Sequence, residues 1–130
     1  MRILSDEPCK VTFTDNIAGG KITLEYRLPT PDERVIYSNA LITRKGKKVE
    51  SAYGETRQKW GYNILTGITD GEFGRNKKTP ISSSPQSPIY DAEWKEIVKK
   101  FAPDVIERLA MHVFENALTI SEVEEEENPT

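Results

Sequence analysis

Reactive and metal-binding residue types are scarce in this sequence. Its 130 residues include one cysteine, Cys9, and one histidine, His112. A single cysteine excludes an internal disulfide and any zinc site built from several thiolates, and a single histidine excludes a site that needs two. His112 lies beside an apolar helical stripe and is interpreted as a boundary side chain. We expect no catalytic residues, no metal ligands and no cofactor.

Long apolar runs and nucleotide-binding motifs are missing as well. No segment approaches the roughly 18 to 20 apolar residues of a membrane span. Residues 1–10 carry acids and lack the apolar centre of a secretory signal. The patterns GxxxxGK[ST], GxGxxG and GxSxG do not occur. These features predict a cytoplasmic protein that does not associate with membranes.

Charge is unevenly distributed along a globular composition. Hydrophobic residues make up 36% and charged residues 30% of the chain, and the formal net charge is −3. Residues 44–78 contain nine basic and four acidic side chains, whereas residues 121–130 contain five glutamates. A basic middle and an acidic end favour either a solvated surface with a disordered tail or charge-complementary assembly.

The N-terminal part of the chain predicts a β-hairpin that leads into a capped helix. Residues 10–14 and 21–28 alternate polar and apolar side chains, and the Asp15–Gly20 stretch between them has turn chemistry. Thr30 is placed to cap a helix that starts at Pro31, and Glu33 completes a capping box. Two strands alone are marginally stable, so this hairpin needs a third strand or helices to cover it.

The rest of the chain predicts helices and one long loop. Helical spacing predicts helices over about 31–45 and 48–66, a third that Ser87 or Asp91 caps, and a fourth over about 103–118. Residues 69–88 show no periodic pattern and are predicted to be a mobile loop, and residues 121–130 a disordered acidic tail. The fold class is therefore α+β, mostly α, as a single domain over residues 1–120.

Two groups of residues are candidates for binding. The first consists of aromatic side chains on the predicted helices, which are either partner anchors or ordinary core: Tyr37, Tyr53, Trp60, Trp94 and Phe101. The second is a basic patch that would suit nucleic acid, although the acidic overall charge disfavours that partner: Lys45, Lys47, Lys48, Arg75, Lys77 and Lys78. A weaker possibility is an acid pair or metal site among four carboxylates, namely Asp70, Glu72, Asp91 and Glu93.

Three passages resemble the tail assembly chaperones of siphophage-type bacteriophages and prophages. Residues 28–34 resemble the strand-to-helix junction of those proteins. Residues 64–71 are similar to the segment in which a helix ends and an acidic-glycine turn follows. Residues 94–114 resemble their closing helix, and the glutamate-rich end also fits. The likeness covers most of the chain without including a diagnostic motif.

The resemblance implies a non-enzymatic protein that acts by protein–protein binding. Such a protein would recruit the tape-measure protein, deliver tail-tube subunits, self-associate, and be only transiently associated with a particle in the host cytoplasm. Two alternatives remain open. One is a nucleic-acid-binding accessory protein that uses residues 44–78, and the other is a small tail completion protein. Completion proteins tend to contain more β-strand than this sequence, for which only two strands are predicted, and this disfavours the second alternative.

Overall fold

The computed structural model describes residues 8–45 and 48–115, and the side chains of residues 42–51 are outside the description. The described residues form seven strands and four α-helices, which confirms the α+β class. The strands are β1 Cys9–Thr14, β2 Lys21–Tyr26, β3 Ile42–Lys45, β4 Lys48–Ser51, β5 Leu65–Ile68, β6 Gly74–Asn76 and β7 Thr79–Pro80. The helices are α1 Pro31–Ala40, α2 Tyr53–Ile64, α3 Trp94–Phe101 and α4 Pro103–Ala110, with a π-helical segment over Met111–Glu115.

The predicted hairpin is confirmed, and a third strand completes its sheet. β1 and β2 pair antiparallel from Cys9 opposite Tyr26 to Thr14 opposite Lys21. β5 pairs antiparallel with the other edge of β2, so the strand order is β1-β2-β5. Ile22, Leu24 and Tyr26 alternate along the buried face of β2 and pack against α3 and α4 residues of the main core. β5 is the third strand that a marginally stable two-stranded hairpin requires.

Three predicted helix boundaries were wrong. The first helix ends at Ala40 rather than near Lys45, because Ile42–Lys45 forms β3. The second helix starts at Tyr53 rather than Lys48, because Lys48–Ser51 forms β4, and it ends at Ile64, where Leu65–Ile68 becomes β5. β3 and β4 pair with Lys45 opposite Lys48, leaving two residues between the strands. Two-residue connections are typical of β-hairpins. The β3–β4 hairpin was not predicted because the apolar residues of this stretch also fit helical spacing.

The segment 69–88 contains more regular structure than its sequence predicted. β6 and β7 form a short hairpin, and Ile81 and Ser82 behind it are buried. Backbone bonds from Gly71 to Ile81 and from Ile81 to Phe73 tie the segment to itself. The Ser83 hydroxyl also accepts a bond from the Ile68 amide, which joins the segment to β5. Its mobility stays a prediction.

The start of the fourth helix follows the sequence closely, but the third helix does not begin at a Ser87 or Asp91 cap: α3 starts at Trp94, after Glu93, without a side-chain cap. Pro103 begins α4 as predicted, and the single residue Ala102 separates it from the end of α3. Ile106, Leu109 and Ala110 of α4 are fully buried, and α4 packs along α2. The predicted helix continued to Leu118, and its last three residues lie outside the described residues, as does the predicted acidic tail.

The α1 N-terminus carries the capping box that its sequence predicts. The Glu33 amide donates to the Thr30 hydroxyl at 3.2 Å, and the Thr30 amide donates to Glu33 Oε1 at 2.9 Å. Arg27 adds two bonds of 2.8 Å to the same carboxylate. These contacts, the Arg27 bonds foremost, lower the pKa of Glu33 to about 2. The junction between β2 and α1 is thus fixed by one shared carboxylate.

Replacing this carboxylate by an amide should reveal its charge as a pH-dependent stability. Glu33→Gln keeps a capping side chain and removes the Arg27 ion pair, and we expect a loss of about 1 kcal/mol at neutral pH because both partners are partly exposed. The folded pKa of Glu33 lies below its ordinary value, so the stabilisation is complete above about pH 4.5 and disappears towards pH 2. Urea unfolding across this pH range measures the difference. Asp32→Asn, in the same turn, is the control, and an equal loss there would contradict the assignment.

Candidate protein-binding site on helix α1

Helix α1 is attached to the body of the protein along one narrow side. Tyr37 is its single buried residue and is 1% exposed. Its ring stacks on Phe114 with centroids 4.1 Å apart and planes 5° apart, and Trp60 meets the same Phe114 ring edge-on. This aromatic cluster, Tyr37–Phe114–Trp60, joins α1 to α2 and to the π-helical segment.

A polar network surrounds the aromatic cluster. The Tyr37 hydroxyl donates to Glu115, and Arg57 of α2 binds the same carboxylate through Nε at 2.9 Å and Nη2 at 2.7 Å. The Arg57 bonds chiefly lower the pKa of Glu115, whereas burial and the bond to Glu115 raise the pKa of Tyr37. Arg57 also reaches Glu107 of α4 at 3.3 Å. The network therefore links α1, α2, α4 and the end of the described chain.

Two further contacts hold α1 at its ends. Arg34 donates to the backbone oxygen of Val113 at 2.9 Å, and the buried Thr56 hydroxyl donates to the backbone oxygen of Ala40 at 3.1 Å. Every one of these contacts lies on the inner side of α1. Its outer side presents Val35 and Ile36, which are 59% and 52% exposed.

The exposure of Ile36 corrects one interpretation of the sequence. Helical spacing in the sequence groups Ile36 with Tyr37, Ala40 and Leu41 in one apolar stripe. Tyr37 is buried and Ala40 and Leu41 are half-buried, but Ile36 projects into solvent beside Val35. A buried aromatic ring with a polar rim holds this helix, so Val35 and Ile36 remain exposed without loss of this attachment.

The five predicted aromatic anchors fall into different environments. Tyr37 and Trp60 are brought together in the aromatic cluster, so they contribute packing within this fold. Trp94 is half-buried against the main core. Tyr53 is 38% exposed and lies against the Arg57 guanidinium, and Phe101 is 74% exposed. The aliphatic pair Val35 and Ile36 was missed, because helical spacing alone cannot tell which face of α1 meets the core.

The predicted basic patch is only partly described. Lys47 lies outside the described residues, and the side chains of Lys45 and Lys48 are not described. Lys77 and Lys78 are exposed in the connection between β6 and β7. Arg75 is bound by Asp91 at 2.6 Å, with Glu93 at 3.7 Å, so its charge is neutralised locally.

The four candidate carboxylates serve separate structural contacts. Asp70 accepts a hydrogen bond from the buried Ser82 hydroxyl, and Glu72 accepts a hydrogen bond of 3.0 Å from the Thr23 amide. Asp91 and Glu93 face Arg75. Over residues 8–45 and 48–115, no group of three His, Cys, Asp or Glu side chains is close enough to hold a metal ion. In the same part of the chain, no helix has the length and apolarity that a bilayer span requires.

A groove of about 570 Å³ lies between the β1–β2 turn and α4. Phe13, Ile22 and Val105 supply apolar lining, and Asp104 and Arg108 supply opposite charges. The Arg108 guanidinium lies 5.7 Å from the centroid of the Phe13 ring. The opposite charges of its lining select no single class of ligand.

His112 lies close to this groove and gives the protein a pH response that can be isolated. Its ring packs edge-on against Phe13 and Tyr26, and burial, with help from Arg108, lowers the pKa of His112. The unfolded chain binds a proton more readily, so stability should fall as pH decreases through about 6.5. We expect His112→Gln to remove this component from unfolding curves measured between pH 7.5 and 5. An unchanged pH dependence in the variant would contradict it.

Comparisons with known proteins do not identify a family for this fold. No protein-family model matches the chain, and no significant match occurs among curated proteins or solved structures. The functional argument therefore rests on the residues themselves.

Proposed function

We propose that this chain is a non-enzymatic tail assembly protein of a phage or prophage, similar in role to a tail assembly chaperone. The observation that carries the proposal is the outer face of α1, where Val35 and Ile36 are exposed on a helix that packing and hydrogen bonds attach from its inner side. An ordered helix with exposed aliphatic side chains fits the groove-binding mode of helical recognition. The resemblance of residues 28–34, which lead into this helix, names the class of partner.

The proposed partners are the tape-measure and tail-tube proteins of the same phage, together with further copies of this chain. The resemblance implies that such a chaperone recruits the tape-measure protein and delivers tail-tube subunits during assembly. The exposed pair on α1 supplies apolar contact area, and the exposed Asp32 beside it supplies a polar edge. Association would occur in the host cytoplasm.

Co-purification with the tape-measure protein tests this proposal. We expect the full-length chain to retain a co-expressed tape-measure protein, and the double variant Val35→Asp/Ile36→Asp to lose it. Both positions are exposed, so the variant should unfold within a few degrees of the unmodified protein. The control is Ile17→Asp, which changes an even more exposed aliphatic side chain on the β1–β2 turn. Retention by the α1 variant, or equal loss in the control, would contradict the proposal.

A tail completion protein is the second candidate, and the strand content favours it. The sequence predicted two strands, whereas seven occur among the described residues, so the reason for disfavouring this class is weaker than expected. The two candidates differ in where the protein remains. A completion protein would be present in purified finished tails, and an assembly chaperone would be absent from them. Immunoblotting of purified tails against lysate distinguishes the two.

A further inference from the structure

Two lysines of α3 converge on one tyrosine ring. The ammonium nitrogens of Lys95 and Lys99 lie 4.5 Å and 4.9 Å from the centroid of the Tyr62 ring. The two lysines are four residues apart, which places them on the same side of the helix. We refer to them as the α3 lysine pair. It was not part of the basic patch that the sequence predicted.

The α3 lysine pair is not neutralised by the described residues around it. Neither ammonium group has an ion-pair partner in the described part of the chain, and the nearby Glu96 accepts a hydrogen bond from the Tyr62 hydroxyl. Burial chiefly lowers the pKa of Lys95, and the positive charge of Arg27 lowers it further, whereas the charge of Glu96 opposes the shift. Like charges held close together in this way are relieved by an external anion.

We propose that the acidic C-terminal segment of the same chain, residues 121–127, docks on the α3 lysine pair. This segment contains five glutamates in seven residues, so it has the charge that the pair lacks. Val123 is the apolar residue of the segment, and its side chain would pack against the Tyr62 ring. The segment thereby covers a cationic surface that is otherwise open to nucleic acid and other polyanions. This inference does not depend on the proposed tail partners.

The position at which the described chain ends puts the segment within reach. Glu115 is bound by Arg57 of α2, and Tyr62 lies five residues further along the same helix. Five residues advance a helix by about 7.5 Å, and a helix with its side chains is about 10 to 12 Å wide. Seven extended residues, from 116 to 122, span up to about 25 Å. Attachment this close keeps the local concentration of the segment high, which favours its own lysine pair over that of another molecule.

Backbone amide spectra of the full-length protein test the docking. We expect the amide signals of residues 121–127 to shift in Lys95→Gln/Lys99→Gln and, in the unmodified protein, at 0.5 M NaCl, because salt screens exposed charges. Lys77→Gln/Lys78→Gln removes the same charge from another exposed surface and should leave these signals unchanged. Equal shifts in both double variants, or none in the first, would overturn the proposal.

Carbodiimide crosslinking of an equal mixture of ¹⁴N- and ¹⁵N-labelled protein tests whether the contact is internal. We expect amides between Lys95 or Lys99 and the segment's glutamates, with both halves of each crosslinked peptide carrying the same label. Crosslinks that form chiefly at Lys45, Lys47 and Lys48, or at Lys77 and Lys78, would overturn the site. Mixed-label crosslinks at Lys95 and Lys99 would overturn internal docking, since they require the segment of a second copy.

Discussion

The Gly61→Ala variant should lose about 3 kcal/mol of unfolding free energy or fail to fold. A Cβ atom at Gly61 would lie 2.8 Å from Ile106 Cγ2 and closer still to the Ile106 backbone oxygen. That oxygen belongs to α4, so a methyl group cannot be accommodated by turning a side chain. The two helices would have to separate, and overpacking of this kind costs about 1 to 3 kcal/mol or more.

A second glycine on the same helix provides a matched control. A Cβ atom at Gly54 would meet no atom within 4 Å. Gly54→Ala should therefore gain about 0.5 to 1 kcal/mol, the helix-propensity difference between the two residues. Urea unfolding of the two variants gives the comparison. Equal stability of the two variants would show that α2 and α4 are not in close contact at Gly61.

The Tyr37→Ala variant should lose about 3 to 5 kcal/mol, because it removes a buried aromatic ring that stacks on Phe114. It also takes one hydrogen bond from Glu115, which Arg57 still binds. Tyr37→Phe separates these contributions, since it keeps the ring and loses only the hydroxyl. We expect that variant to lose about 1.5 to 3 kcal/mol, as for a hydrogen bond to a charged group.

Phe101→Ala is the control for Tyr37→Ala, because Phe101 is also an aromatic helical residue but is 74% exposed. Its stability should change by less than about 0.5 kcal/mol. Thermal unfolding followed by circular dichroism measures all three variants. If Tyr37→Ala were as stable as Phe101→Ala, α1 would not be anchored through this ring.

The sequence predicted best where a local rule decides the structure. The capping box at Thr30 and Glu33, the β1–β2 hairpin and the start of α4 at Pro103 all depend on neighbouring residues and are confirmed. The hairpin of β3 and β4 was missed because Lys-rich segments with helical spacing suit either conformation. β5 was missed because its pairing with β2 joins residues about 40 positions apart, which no local pattern contains.

The candidate site was predicted less well than the fold. Aromatic side chains were expected at a partner surface, and the structure places Tyr37 and Trp60 in the core. The exposed pair on α1 and the α3 lysine pair depend on which side of each helix meets the sheet and its neighbours. That choice is made by long-range contacts such as Arg57 to Glu115 and Arg34 to Val113. Periodicity in the sequence indicates which residues share a helix face, but it does not indicate which element of the fold packs against that face.

Light scattering on the purified full-length protein tests most directly whether α1 is an association surface. Molar mass should be measured over a range of protein concentrations at low and moderate salt, for the unmodified chain and for Val35→Asp/Ile36→Asp. We predict a multimer that persists at moderate salt and that the double variant converts to a monomer of 14.8 kDa. A strict monomer at every concentration, or a multimer that the double variant leaves intact, would contradict an association surface on α1.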